Sequence, residues 1–432
     1  MKKIVCIFLF LFSCLGALAC QQEQTDKIVI DFWHMAPVGS TAYSATKEII
    51  NAFNASQDTY FVKGTGFSFW DYWDKINVAV SSRTAPDIGL STLDDVPSRA
   101  SAGVLYDISA LLEADPEGLD LDQFYPAQLD FATYDGDLYA LPFTATTRVL
   151  YYNLDMFTAA GLSEADIPAT WNELHAVAKE LDITDGEGNI LQLGFDPTYG
   201  NATYHGWLWE AGLDFFDANL DPTLNTQGHL DILNWVKDFN DDFTRTQLVS
   251  FGDANAMLGL NPFAAGRVAM MVETDGLYQI IKNAGATFQF GVTTIPIPDQ
   301  DGIRVNWGSG FSIEMYDNGK NEEDQKAGAW AFLQYLMSYE VQMQLSEANG
   351  WIMSRKDAMA KVAEDDPIMQ RLIVEVEYAR DKVYVPYAPS WHGNDWSPYY
   401  NSFLAGDITA EQCLQQARDN YLQKQENYNA TH

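Results

Sequence analysis

Apolar positions along this chain recur at two spacings, and the spacings alternate. Residues 28–32 (Ile-Val-Ile-Asp-Phe) form a compact apolar run of the length of a buried strand. Ala42, Ala45, Ile49 and Phe53 then share one face at helical spacing. Residues 61–62 and 86–90 read as further strands, with a helix over 70–80 between them. Residues 149–152 are β-branched, aliphatic or aromatic, as a buried strand prefers, and Asn153 and Asp155 punctuate its end. Thr170 caps the helix that follows, with Glu173 three residues on closing a capping box, and that helix runs to Leu181.

Beyond it come a strand near 191–195 and helices around 207–211 and 230–239. A helix end, a glycine and a strand occupy 263–272, and a strand from 290 enters a proline-rich loop. A strand over 310–314 precedes an amphipathic helix over 325–337, which buries Ala329, Phe332, Leu333 and Leu336. Residues 391–396 read as a late loop. Alternating strands and helices predict an α/β protein with mostly parallel sheets.

The first residues change the picture. Lys2 and Lys3 precede an apolar run over 4–12, and small residues lead to Ala17-Leu18-Ala19-Cys20. This is the pattern of a secretory signal peptide over 1–19 ending in a lipobox, with a lipid anchor expected on Cys20 and a polar tether over 20–27. The plainer alternatives are an ordinary signal peptide with an incidental cysteine, or a lipobox at Cys14. Once Cys6 and Cys14 leave with the signal and Cys20 carries lipid, Cys413 stands alone and no internal disulfide is available. Its helical spacing with Ala417 and Tyr421 predicts a buried small hydrophobe.

Formal net charge is -35, or -37 without the signal peptide's two lysines, since residues 1–19 hold no acid. That field repels nucleic acid and anionic lipid, and it favours a neutral or cationic ligand. Simple solubility explains the charge equally well, because the acids are scattered over helix faces. The chain holds 12 Trp, 22 Tyr and 24 Phe, a supply of ring faces for sugars, although most must be core.

Several segments together resemble one family. Residues 138–174 match the stretch where extracellular solute-binding proteins of carbohydrate ABC importers first cross between two lobes. Ser82-Arg-Thr-Ala-Pro-Asp-Ile88, the set Ala102, Gly103, Leu105, Asp107 and Ile108, then Phe263, Gly266, Val268, Ala269 and Met270, and the late helix with Trp330 and Tyr335 follow the family's order and spacing. The resemblance implies a periplasmic-binding-protein-like fold of two α/β lobes around a ligand cleft. One lobe would take residues 27–142 plus 272–309 and the other 147–268 plus 314–432, with crossings near 143–146, 269–271 and 310–313. It also implies a monomeric, non-enzymatic receptor that closes on a neutral carbohydrate and delivers it to membrane permease subunits, with no cofactor and no nucleic acid. A receptor for a glycerol phosphodiester, a surface glycan-binding protein and a glycosidase are the alternatives.

No nucleophile elbow, phosphate loop or zinc motif occurs, and the six histidines are far apart in sequence. Residues 182–189 read as a surface turn rather than a calcium loop. A sugar site needs ring faces and matched donors and acceptors. The candidates are His34 after the first strand, Trp70 on the early helix and Asp94 after the third strand. They continue with Thr146 and Arg148 in the first crossing, Trp207, Asp275 after the second crossing, Trp307 before the third, and Trp391 in the late loop. Each has a structural alternative: His34 and Trp70 in packing, Asp94 solvated, Arg148 in an ion pair, Asp275 as a helix cap. Trp207 and Glu210 share a helical face, which points Trp207 to the ligand and Trp209 to the core.

Overall fold

The computed structural model describes residues 27–431, except 116, 117, 241, 242, 260 and 320–322. The signal peptide and Cys20 lie outside the described residues. Among these residues no helix is long and apolar enough to cross a membrane. The chain divides into two units. Unit 1 holds the residues up to Thr144, Phe311–Asn349 and Met353–Ala358; unit 2 holds Ala145–Gly310, Gly350–Ile352 and Met359–His432.

Unit 1 is built on a five-stranded sheet in the order Tyr60–Gly66, Ile28–His34, Ile88–Thr92, Phe311–Met315, Ala140–Pro142. The first three strands run parallel, and Phe311–Met315 runs antiparallel to both its neighbours. Helices Thr41–Ser56, Phe69–Ser81 and Glu323–Leu336 supply the unit's long amphipathic faces. Phe332 of the last one packs edge-on against Phe32 and Phe53 at 5.4 and 5.0 Å. Arg99 of the short helix Val96–Ser101 forms an ion pair at 2.7 Å with the fully buried Glu314 of strand Phe311–Met315.

Unit 2 carries a three-stranded sheet with Arg148–Asn153 in the centre and Met270–Thr274 and Phe290–Thr293 on either side, both antiparallel to it. Helix Trp171–Leu181 has the expected capping box of Thr170 and Glu173. Its buried face joins a core rich in aromatic rings, in which Trp171 stacks on Trp235 at 4.2 Å. Helix Ala410–Asn429 buries Cys413, Ala417 and Tyr421 on one face, as their spacing predicts.

Five sequence expectations change here. The division into units falls at Thr144/Ala145 and Gly310/Phe311, but none falls at 269–271. Residues 272–309 belong to unit 2, because strands Met270–Thr274 and Phe290–Thr293 both pair with Arg148–Asn153. The segment from 314 to 349 belongs to unit 1, because Phe311–Met315 is an interior strand of its sheet and Phe332 completes its core. The sheet of unit 2 is antiparallel, since helix Gly276–Ala284 joins two strands that flank a third instead of pairing with each other. Residues 391–396 form a π-helical turn, continuous with helix Ser397–Leu404, where a loop was expected.

Candidate functional site

Unit 2 concentrates polar chemistry around the first strand it contributes. Arg148 Nη1 donates to the Trp307 carbonyl at 2.7 Å and Nη2 to Asn201 Oδ1 at 3.4 Å. The guanidinium carbon lies 3.6 Å from the centroid of the Trp307 ring, and Lys382 Nζ lies 4.4 Å from the same centroid. Trp307 Nε1 donates to Asp381 Oδ1 at 3.1 Å. Burial lowers the Arg148 pKa to about 10, while Glu273, Asp275 and Asp381 oppose that fall, so Arg148 is cationic at neutral pH. Asn201 in turn donates to Glu273 Oε1.

The segment before Arg148 is clamped. Asn306 Oδ1 accepts from Thr147 Oγ1 at 3.0 Å and from Arg148 N at 3.1 Å, and Asn306 Nδ2 donates to the Glu375 carbonyl at 2.9 Å. Asp275 Oδ1 accepts from Thr147 N at 3.2 Å. Burial pushes the Asp275 carboxyl up to about 7, against the pull of that N–H. Gly308 has no room for a side chain, since a Cβ there would meet the Thr146 carbonyl oxygen at 2.0 Å. Gly308→Ala is therefore expected to cost about 3 kcal/mol through overpacking against backbone, read as a lowered urea midpoint at unchanged slope.

Beside this clamp lies a narrow recess lined by Arg148, Asn201, Thr203, Trp207, Glu210 and Trp307, among others. Next to it, His205 Nε2 is 3.1 Å from Thr203 Oγ1, and the rings of His205 and His392 are 4.8 Å apart. Burial pushes His205 well below its ordinary value and His392 down to about 3, and the cation Lys382 adds to both. Two histidines far apart in sequence are thus neighbours, which spacing along the chain could not reveal. Among the described residues no group of three His, Cys, Asp or Glu is placed to hold a metal ion.

The candidate residues fall into distinct groups. Arg148, Trp207 and Trp307 line the recess, whereas Thr146 is half-buried outside that lining. Trp207 belongs to the core as well, with Nε1 donating to the Pro197 carbonyl at 3.0 Å. Trp209 is buried in the core as expected, at 1% exposure, and packs there against His205 and under Arg380. Asp275 stands at the cap position of its helix without a capping bond, because its carboxyl is turned to Thr147. Trp391 was expected to offer a stacking face; instead it is buried against Phe215, Phe216 and Tyr421, at centroid distances of 5.2–5.6 Å. Asn201, His205, Glu210 and Asn306 escaped sequence reasoning as site residues, although the shared face of Trp207 and Glu210 was a signal for one of them.

In unit 1 the candidates separate by exposure. Trp70 is 77 % exposed and, with Phe69, Trp73 and Phe311, makes an aromatic face with neighbouring centroids 5.1–6.3 Å apart. Asp94 is half-buried in a single 3-10 turn, Leu93–Asp95. His34 is buried, tilted against Phe32 and Tyr43, and close to Gly64 and Gly66. Burial pushes its pKa down to about 4. The folded state holds this ring neutral while the unfolded chain protonates it near pH 6.5. Stability is therefore present above that value and is lost as pH falls from 6.5 towards 4, by up to about 3 kcal/mol. Comparing the pH dependence of melting in wild type and His34→Leu should show one proton's slope missing from the variant.

The sequence comparison decides the family. A family model described as bacterial extracellular solute-binding protein matches residues 48–371, well over half of the chain. The chain belongs to this family. A putative binding protein of Brucella abortus is 26% identical over 290 residues, covering 66% of this chain and 67% of that protein. The sn-glycerol-3-phosphate-binding periplasmic protein UgpB of Rhizobium meliloti is 24% identical over 352 residues, covering 75% and 74%. A structure titled CpMnBP1 with mannotriose bound superposes with a TM-score of 0.76 at 22% identity, over 91% of this chain and 100% of that one. The solute-binding fold expected from the sequence is the fold observed, and the family is one of binding proteins rather than enzymes.

Proposed function

We propose that this solute-binding protein captures a neutral sugar outside the cell, leaves it chemically unchanged and passes it to ABC permease subunits. The observation that carries the reading is the recess of unit 2, where a guanidinium, an amide and a hydroxyl stand beside the indoles of Trp207 and Trp307. Hydroxyls need such mixed donors and acceptors, and ring C–H faces need aromatic surface. The exposed aromatic face around Trp70 supplies more such surface in unit 1. The mannotriose named with the similar structure is a ligand of the same chemistry.

Likeness to UgpB raises the phosphate alternative. Arg148 is the cation that would serve it, but it is already stacked on Trp307 and faces Glu273, Asp275 and Asp381. A neutral ligand avoids those carboxyls. The lipid anchor on Cys20 belongs to the same proposal: it would hold a monomeric receptor at the membrane, and Cys20→Ala should release it from the membrane fraction.

A thermal-shift panel tests the main claim. Monosaccharides, mannobiose, mannotriose, maltose and glycerol 3-phosphate are each added to the mature protein. A matching neutral sugar at a hundred times its Kd stabilises by about 2.7 kcal/mol and raises the melting temperature. Chromatography after overnight incubation should return that sugar intact. A shift with glycerol 3-phosphate alone would transfer the reading to the phosphate class, and hydrolysis would end the receptor reading.

A further inference from the structure

Two short segments of unit 2 stand where the chain passes between the units. One begins at Ala145; the other is Gly350–Ile352, which segments of unit 1 flank in sequence on both sides. They are bonded to each other, since Ala145 N donates to the Ile352 carbonyl at 2.8 Å. Asp275, at the start of helix Gly276–Ala284, grips both. Its Oδ1 accepts from Thr147 N at 3.2 Å, its own N donates to the Thr147 carbonyl at 3.2 Å, and the Ile352 backbone also bonds to its carboxyl. Thr147 is fully buried and Asp275 is 6% exposed, so water competes little for these bonds. Arg148, the next residue after Thr147, is the cation that attracts the Asp275 carboxyl. An asparagine at 275 would offer Thr147 the same acceptor without the desolvation cost of a buried acid. The carboxyl therefore gives up stability for something an amide lacks, which is a change of charge.

We propose that Asp275 is a positioning residue for ligand capture: its ionised carboxyl holds the segment from Ala145 to Arg148 and Ile352 in the capturing geometry, and protonation slackens that hold. The assignment rests on the sugar-binding reading above. Hydrogen bonds to a carboxylate are about twice as strong as those to a neutral acid. Ionisation therefore tightens the grip on Thr147 and Ile352 and draws on Arg148. Burial pushes the carboxyl up to about 7, against the pull of Thr147, Ile352 and Arg148, so the change of charge falls near neutral pH. The other titratable groups around it are Arg148 and Tyr151 on the central strand, Glu273 on the strand beside it and Tyr278 on the helix. Burial keeps both tyrosines neutral, and Arg148 stays cationic. Burial raises Glu273 too, but that carboxyl bonds to Asn201 and to Thr274 N and not to the crossing. The raised Asp275 contributes stability at low pH that is lost as pH rises from 3.8 to about 7. Affinity and this part of stability therefore move in opposite directions.

The test titrates the mature protein calorimetrically, between pH 6 and pH 8, with the panel sugar giving the largest thermal shift. Wild type should bind about three- to tenfold tighter at pH 8 than at pH 6, as charge-assisted bonds form. Asp275→Asn, an uncharged mimic of the acid, should bind at the weaker level throughout, within about twofold across the range. It should melt no lower than wild type at pH 8, because the buried charge is gone. Parallel affinity profiles in the two proteins would reduce Asp275 to a structural part and overturn the proposal. Amide-resolved spectra of the ligand-free wild type give a reading that needs no sugar and no variant. The Thr147 and Ile352 N–H signals should move downfield together as pH rises through about 7. Static signals would overturn the latch even where affinity varies with pH. Absence of binding by any panel sugar would overturn the functional reading and the link to capture, while the amide titration still decides whether Asp275 holds the crossing.

Discussion

Arg148→Ala should lower the stability of unit 2 by about 3–5 kcal/mol, because it leaves buried acids without their cation. The guanidinium is stacked on Trp307, donates to the Trp307 carbonyl and to Asn201, and faces Glu273, Asp275 and Asp381. Removing it also orphans that carbonyl. The loss should grow with pH. Burial has pushed Asp275 up to about 7, so below that value the carboxyl is neutral and has little need of a cation. Above it the acid must either ionise unpaired or hold its proton against the solvent. Thermal melts at pH 5.5 and pH 8 should therefore show the larger decrement at pH 8. Asp275→Asn in the Arg148→Ala background should recover part of it, a coupling that a double-mutant cycle measures. A decrement independent of pH, with no recovery, would mean that Arg148 acts through packing on Trp307 alone.

Trp391→Ala is expected to cost about 3–5 kcal/mol as a large-to-small change in a packed core, with little change in ligand affinity. The ring is 2% exposed and lies against Phe215, Phe216 and Tyr421. The Tyr421 hydroxyl in turn donates to the Leu220 carbonyl and lies 2.9 Å from the Tyr387 hydroxyl, so the cavity would open beneath a hydrogen-bonded corner. Guanidinium unfolding gives the stability loss, and titration well below the melting temperature isolates the affinity. The opposite pattern, retained stability with lost affinity, would return Trp391 to the stacking role its place in the sequence suggested.

These two residues show where reading the chain stopped. Arg148 was legible because it opens a strand inside a segment with a recognisable pattern, while its stacking on Trp307 and its bond to the Trp307 carbonyl depend on a residue far along the chain. Trp391 was misplaced because residues 391–396 read as a loop rich in glycine and polar groups, whereas they form a buried π-helical turn. Tryptophans in a chain of many aromatics look alike until packing partners are known. Glu210 presented the reverse difficulty. A lone carboxyl in an acidic chain suggests solvent, and only the surrounding Trp171, Trp207 and Ile295 make it a buried group.

The sequence by itself determined the local elements and the family: strand and helix periods, the Thr170–Glu173 capping box and the buried face of Cys413, Ala417 and Tyr421 all depend on residues a few positions apart. Tertiary structure alone decided which strands share a sheet, and so which unit owns residues 272–309 and 314–349. It also decided that Asn201, Glu210, Asn306, Trp307 and His392 gather near Arg148. Periodicity records which face of an element is buried, but not against what. Pairing and burial between residues a hundred positions apart depend on the whole chain's packing, and no short window of sequence carries that information.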